Sequence, residues 1–156
     1  MARLERGDKA PPFTLPDHEG KPASFGDLVA KGAAVVYFYP ADGTPGCTKE
    51  ACQFNESLKA LGRAGANVVG ISPDGQSKHQ RFREKHGLSF PLLSDPDGAV
   101  ATRYGVRRRF TALSPTKRAT FVIAPDGRIA SVIQSEVRMH VHADRALDAV
   151  AKLRAR

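Results

Sequence analysis

Cysteine is scarce in this chain, two in 156 residues, which argues against a disulfide-stapled scaffold and against a structural zinc site built on four thiolates. Long apolar runs are missing as well. The longest, around Ala33 to Tyr39, falls far short of the roughly 20 residues that a helical membrane span needs. Met1 to Lys9 mixes charges and has no apolar core of a secretory leader, so neither a signal nor a membrane anchor is expected and the expected location is the cytoplasm. Repeats, low-complexity tracts and linkers are absent too. With 41% hydrophobic residues, that leads to the expectation of one domain over residues 1–156. Acidic residues are in the minority, 16 against 24 Lys and Arg, for a formal net charge of +8. No nucleic-acid motif accompanies the excess. The densest run is Arg107, Arg108 and Arg109, with Lys117 and Arg118 nearby and Arg145, Lys152, Arg154 and Arg156 scattered behind. The charge therefore reads as solvated basic faces that ease encounter with acidic partners or anionic small molecules, not as a specific nucleic-acid site.

What is present alternates between strand and helix signals. Around Pro11 to Gly20, short extended pieces about a turn predict an N-terminal hairpin, with Phe13 and Leu15 facing inward. The run Val35 to Tyr39 predicts a strand. A helix over about 45–62 follows, opened by Thr44 as N-cap and Pro45 at the first helical position, and striped by Ala51, Phe54, Leu58 and Leu61. Asn67 to Ile71 predicts a second strand, Ser77 to His86 a polar helix carrying Phe82, Leu92 and Leu93 a short strand, and Ala99 to Tyr104 a short helix. Thr120 to Ala124 and Arg128 to Ile133 predict a second hairpin around Pro125 to Gly127. An amphipathic helix from about His142 to Leu153 closes the domain, with Leu147, Val150 and Ala151 on one side. This order predicts an α/β, thioredoxin-like fold with a central mixed sheet flanked by helices on both faces. Strand 35–39 is then central, and its C-terminal end is where open α/β sheets build their sites.

That end carries the two cysteines, Cys47 and Cys52, five residues apart. Cys47 falls in the first helical turn, where unpaired backbone N–H groups and the positive end of the helix dipole favour a thiolate. It lies on the core-facing stripe with Ala51 and Phe54, and Cys52 lies on the flank. In an intact helix, residues five apart have Cα atoms more than about 8 Å apart, beyond the roughly 7 Å limit for a disulfide. Joining the two sulfurs therefore requires local unwinding. In a reducing compartment such a pair is catalytic, redox-sensing or metal-binding rather than structural.

The segment Pro40, Thr44, Pro45, Gly46, Cys47, Thr48, Lys49, Glu50, Ala51, Cys52 resembles the peroxidatic motif of peroxiredoxins, specifically the bacterioferritin comigratory protein or PrxQ type. Gly7 to Phe13, Gly70 to Ser72, Phe90 to Asp95, Tyr104 to Val106 and Arg118 to Ile123 follow in the family's order, so the likeness covers nearly the whole chain. The resemblance implies a thiol peroxidase of antioxidant defence that reduces hydrogen peroxide and organic hydroperoxides, with no metal or other cofactor. It implies that Cys47 is the peroxidatic nucleophile and Cys52 the resolving cysteine, joined in an intramolecular disulfide that thioredoxin or a glutaredoxin reduces. Thr44 matches the threonine whose hydroxyl bonds thiolate and peroxide, Arg118 the arginine that stabilises their charge, and Pro40 the residue packed over the sulfur. The resemblance further implies that the N–H groups of Gly46 and Cys47 complete the oxyanion environment. A monomer is favoured, since the disulfide needs no second subunit. The segment Arg107 to Lys117 is shorter than in many relatives and lacks the tryptophan often found there.

Two other classes compete. A copper carrier would use both thiols with His140 or His142, although thiolates five apart on a helix are poorly placed to share one soft ion. A basic interaction module with incidental thiols would bind nucleic acid in a salt-dependent way.

Overall fold

The computed structural model describes residues 4–107, 116–135 and 138–154; the expectations attached to Arg108, Arg109, the following residues up to Pro115, and Arg156 lie outside them. The expected N-terminal hairpin pairs β1 (Thr14–Pro16) with β2 (Pro22–Ser24), Leu15 opposite Ala23. Its turn is set by Asp17, whose carboxylate accepts from the backbone N–H groups of Glu19 at 2.8 Å and Lys21 at 3.0 Å. A short helix that the stripe pattern did not predict, α1 (Phe25–Ala30), follows directly. Six residues cannot display a periodic stripe, but its start is marked by Ser24, which accepts from the N–H of Asp27 at 3.2 Å.

After α1 come β3 (Ala33–Phe38), α2 (Pro45–Glu56), α3 (Leu58–Arg63), β4 (Ala66–Ser72), α4 (Gln76–His86), β5 (Leu92–Ser94), α5 (Ala99–Arg103), β6 (Ala119–Ile123), β7 (Ile129–Gln134) and α6 (His140–Arg154). Five strands form one mixed sheet in the order β5-β4-β3-β6-β7. β3, β4 and β5 run parallel, β6 is antiparallel to β3, and β7 is antiparallel to β6. The thioredoxin-like α/β arrangement is thus present, with β3 at its centre.

Every residue of β3 is buried, because helices cover both of its faces. Val35, Tyr37 and, just beyond the strand, Tyr39 pack with Cys47, Ala51 and Phe54 of α2, Leu61 of α3, Phe82 of α4 and Ala146 and Val150 of α6. Ala34, Val36 and Phe38 point the other way, to Phe13, Phe25 of α1, Val100 of α5 and Phe121. Each large apolar side chain buried this way contributes about 1.5–3 kcal/mol. The Tyr37 ring stacks on Phe54 at a centroid separation of 4.5 Å. It fits only because Gly70 faces it from β4, where a Cβ would lie 2.8 Å from the phenol carbon and oxygen.

Two expectations need correction. The helix predicted over 45–62 is two helices, bent at Ser57 (φ −87, ψ −1). Asn55 fixes the end of the first by donating to the Gly87 carbonyl at 3.1 Å and accepting from the Ser89 N–H at 2.8 Å. On α6 the packed face is Ala143, Ala146 and Val150, with Leu147 at its margin, whereas Ala151 is exposed. The small alanines, not the more hydrophobic-looking set, allow α6 to lie close to the sheet. No helix among the described residues is long and apolar enough to cross a membrane.

Candidate active site

The C-terminal end of β3 feeds the loop from Pro40 to Thr44, and the loop delivers the chain to the start of α2. Thr44 is the N-cap residue and Pro45 follows at the first helical position, as expected. The Thr44 hydroxyl does not cap the helix, however. It donates to the Ala41 carbonyl at 3.3 Å, while the Thr44 carbonyl accepts the first helical bond from the Thr48 N–H at 2.9 Å. The N–H groups of Gly46 and Cys47 therefore have neither a helical carbonyl nor the Thr44 side chain to bond. They point the positive end of α2 at whatever lies in front of it.

Cys47 lies there, 1% exposed. The Arg118 guanidinium reaches it from the start of β6, donating from Nη2 to Sγ at 3.0 Å. Arg118 is itself 8% exposed, so the contact is formed largely away from water, where a fixed positive fork stabilises a sulfur anion far more than it would at the surface. Its other terminal nitrogen, Nη1, donates to Oε1 of Glu50 at 3.2 Å. One guanidinium thus bridges a thiol and a carboxylate that stand three residues apart on one helix. Gly46 makes room for this bridge, since a Cβ there would lie 2.9 Å from Arg118 Nη2. Gly46→Ala is accordingly expected to slow oxidation of Cys47 by peroxide about tenfold or more by displacing the guanidinium, and to lower the melting temperature less than Arg118→Ala does, because the pair with Glu50 is shifted and not removed. Stopped-flow oxidation of the reduced variant and a thermal melt check the two halves.

Of the other residues singled out from sequence, Pro40 is half-buried at the mouth of the loop and Cys52 is a half-buried free thiol farther along α2. Cys47 is likewise a free thiol. The structure therefore brings Cys47 and Arg118 into contact and leaves Cys52 unbonded to Cys47.

The loop is held from behind by a buried polar cluster that the sequence did not announce. Asp42, 4% exposed, accepts from the Tyr39 hydroxyl at 2.5 Å and lies 2.6 Å from Nδ1 of His79, which is fully buried on α4. Burial holds the Tyr39 phenol protonated well above its usual range, so the tyrosine is the donor. Nε2 of His79 faces the Leu93 carbonyl at 3.0 Å, and a carbonyl can only accept; Nε2 therefore carries a hydrogen and a further proton lies between Nδ1 and Asp42. The Asp42 backbone N–H donates to Asp74 at 2.6 Å, and Asp74 also accepts from Ser72 and Lys78. Asp42, Asp74 and His79 converge closely enough to suggest a metal site. Yet a tetrahedral cation bound by His79 and Asp42 would hold their ligand atoms roughly 3.3 Å apart; the observed 2.6 Å is a hydrogen bond. Removing one partner of a buried pair costs about 3–5 kcal/mol, so His79→Ala is expected to lower the unfolding free energy of the reduced protein by that amount in urea titration.

The two histidines of the copper reading are placed differently. His140 is exposed, whereas His142 is fully buried, with Nδ1 2.8 Å from the Thr120 hydroxyl and Nε2 2.9 Å from the Ser135 carbonyl. Glu50, His79 and His142 were all missed as structural parts of the site. A signal for each was available: Glu50 stands one turn after Cys47, His79 one turn before Phe82 and His142 one turn before Ala146, all at core-facing positions.

Comparison with known proteins gives the family. The AhpC/TSA family matches residues 6–132. A putative peroxiredoxin of Mycobacterium tuberculosis is 47% identical over 156 residues, covering 97% of this chain and 94% of the relative. The crystal structure of the peroxidoxin BcpB from Mycobacterium tuberculosis superposes with a TM-score of 0.92 at 43% identity, covering 97% of this chain and 99% of that one. Xanthomonas campestris peroxiredoxin Q follows with a TM-score of 0.83 at 32% identity, covering 91% of each chain.

Proposed function

Since the chain belongs to the AhpC/TSA family, it is a peroxiredoxin, an oxidoreductase that reduces peroxides with electrons from thiols, and we propose that Cys47 is its peroxidatic cysteine and Cys52 its resolving one. The observation that carries the assignment is the 3.0 Å contact from Arg118 Nη2 to Cys47 Sγ at the start of α2. In the first step the Cys47 thiolate attacks one peroxide oxygen. An S–O bond forms, the O–O bond breaks, sulfur gives up two electrons, and the departing oxygen takes a proton and leaves as water or an alcohol. Arg118 and the N–H groups of Gly46 and Cys47 stabilise the negative charge as it passes from sulfur to oxygen. Thr44 turns its hydroxyl from the Ala41 carbonyl to the peroxide, and Pro40 limits water at the sulfur.

In the second step Cys52 attacks the sulfenic sulfur of Cys47, an S–S bond forms, and water leaves. The first turns of α2 open for this, because the intact helix keeps the two sulfurs apart. A dithiol protein of the thioredoxin type, or else a glutaredoxin, then reduces the disulfide by thiol exchange. Hydrogen peroxide and organic hydroperoxides are the substrates. Since both thiols come from one chain, the working unit is a monomer of one domain, and it acts in the cytoplasm.

Cys52→Ser tests the division of labour. With thioredoxin as the only reductant, the variant should consume one equivalent of hydrogen peroxide and stop, one oxygen heavier and trappable by a dione reagent. Continued turnover at the unaltered rate would remove Cys52 from the mechanism.

A further inference from the structure

We propose that His142 is a positioning residue for the peroxidatic site: it holds Glu50, and Glu50 in turn holds Arg118 against Cys47. The inference rests on the assignment of Cys47 as nucleophile and extends the site to α6.

The geometry runs as a chain of contacts. His142 is fully buried, and its Nε2 faces the Ser135 carbonyl at 2.9 Å. That carbonyl can only accept, so Nε2 carries a hydrogen and donates it to Ser135; Oε2 of Glu50 lies 3.4 Å from the same nitrogen, a close polar contact and not a hydrogen bond. On the far side of the ring, Nδ1 is 2.8 Å from the hydroxyl of Thr120, two residues beyond Arg118 on β6. The imidazole is thereby fixed from β6 on one side and from the segment just past β7 on the other. Glu50 offers its other oxygen to Arg118 Nη1 at 3.2 Å, and Arg118 Nη2 reaches Cys47 Sγ at 3.0 Å.

Each link has a physical reason. Arginine has about 2 kcal/mol of rotamer entropy to lose, and a guanidinium aimed at sulfur needs something behind it to fix its plane. Glu50, 1% exposed on α2, does so only if its own carboxylate is kept from rotating. The His142 ring, held by Thr120 on β6 and by the Ser135 carbonyl just past β7 and lying 3.4 Å from Oε2, supplies that constraint. A second effect acts in the same direction. Glu50 and the Cys47 thiolate share the Arg118 guanidinium; the positive, hydrogen-bearing edge of the imidazole beside Oε2 offsets part of the carboxylate's charge and leaves more of the arginine's for sulfur. The histidine touches neither peroxide nor sulfur, so its influence passes through Glu50 and Arg118.

The test compares His142→Ala and His142→Gln with the unaltered full-length protein, all reduced. Two quantities are read: the rate of Cys47 oxidation by one equivalent of hydrogen peroxide, and the titration of the Cys47 thiolate by ultraviolet absorbance in a Cys52→Ser background. His142→Ala should slow oxidation about tenfold or more, as loss of an outer-layer partner of a reacting group does, and move the thiolate titration to higher pH. His142→Gln keeps an N–H donor and should recover most of both. Thr120→Val, which removes the tether while leaving the imidazole, should show the same two changes in smaller degree and carries the test if His142→Ala does not accumulate folded. Wild-type rates and titration in His142→Ala and Thr120→Val, or a glutamine variant as impaired as the alanine one, would overturn the proposal. Failure of the unaltered protein itself to oxidise Cys47 would instead overturn the assignment of the nucleophile.

Discussion

Cys47→Ser is expected to bring peroxide reduction down to background, a loss on the order of 10⁴-fold or more, while the protein stays folded. The magnitude follows from the chemistry. A serine hydroxyl beside Arg118 does not ionise near neutral pH, and oxygen cannot take the place of sulfur as the atom that is oxidised. Structurally the change is small. The side chain keeps its shape, remains within reach of the Arg118 donor, and leaves Tyr37, Ala51 and Phe54 packed around it. A peroxide-consumption assay with a dithiol reductant measures the loss, and near-ultraviolet circular dichroism of the tyrosine cluster around Tyr37 and Tyr39 checks the fold. Stoichiometric peroxide consumption by the serine variant would mean that the nucleophile lies elsewhere.

Arg118→Ala is the second large effect, and it combines two losses. Removing a preorganised donor from a site of developing charge costs about 10²–10³ in rate. It also strips Glu50 of its buried counter-ion, and breaking such a pair costs about 3–5 kcal/mol of stability. The two can be separated. Arg118→Met with Glu50→Gln replaces both charges by neutral groups of similar volume and should recover much of the stability without recovering the rate. Arg118→Lys should not restore the rate either, because a single ammonium cannot hold Glu50 at 3.2 Å and Cys47 at 3.0 Å from two sides of one planar fork. A lysine variant that oxidises at the wild-type rate would show that charge alone suffices.

Much of the architecture was legible because it rests on periodicity. The continuous apolar run of β3 reads as a strand covered on both faces, and Thr44, Pro45 and the stripe through Ala51 and Phe54 mark the start and facing of α2. What was not legible depends on contacts between distant residues. Glu50 and Arg118 are separated by 68 positions, and Asp42 and His79 by 37. A charged residue on an apolar stripe looks like a surface residue until its partner is known, since burying it is tolerable only with that partner in place. His142 is the instructive case. The H-x-H pair allows a metal ligand but reads more simply as exposed capping or packing histidines; residues two apart on a helix face different ways, and only the packing of α6 on β6 and α2 shows that His142 turns inward while His140 remains outside. The bend at Ser57 was hidden for a similar reason, because Asn55 ends α2 by bonding to Gly87 and Ser89, which lie beyond α4.

The central claim, that Cys47 is an activated thiol which passes its oxidation to Cys52, is tested most directly by the intact mass of the reduced protein after one equivalent of hydrogen peroxide, with excess glutathione present as a competing thiol. The account predicts that the protein wins the competition and loses two hydrogens, the mass of an internal Cys47–Cys52 disulfide. If glutathione takes the peroxide and the protein keeps its reduced mass, Cys47 is an ordinary thiol and the account is contradicted.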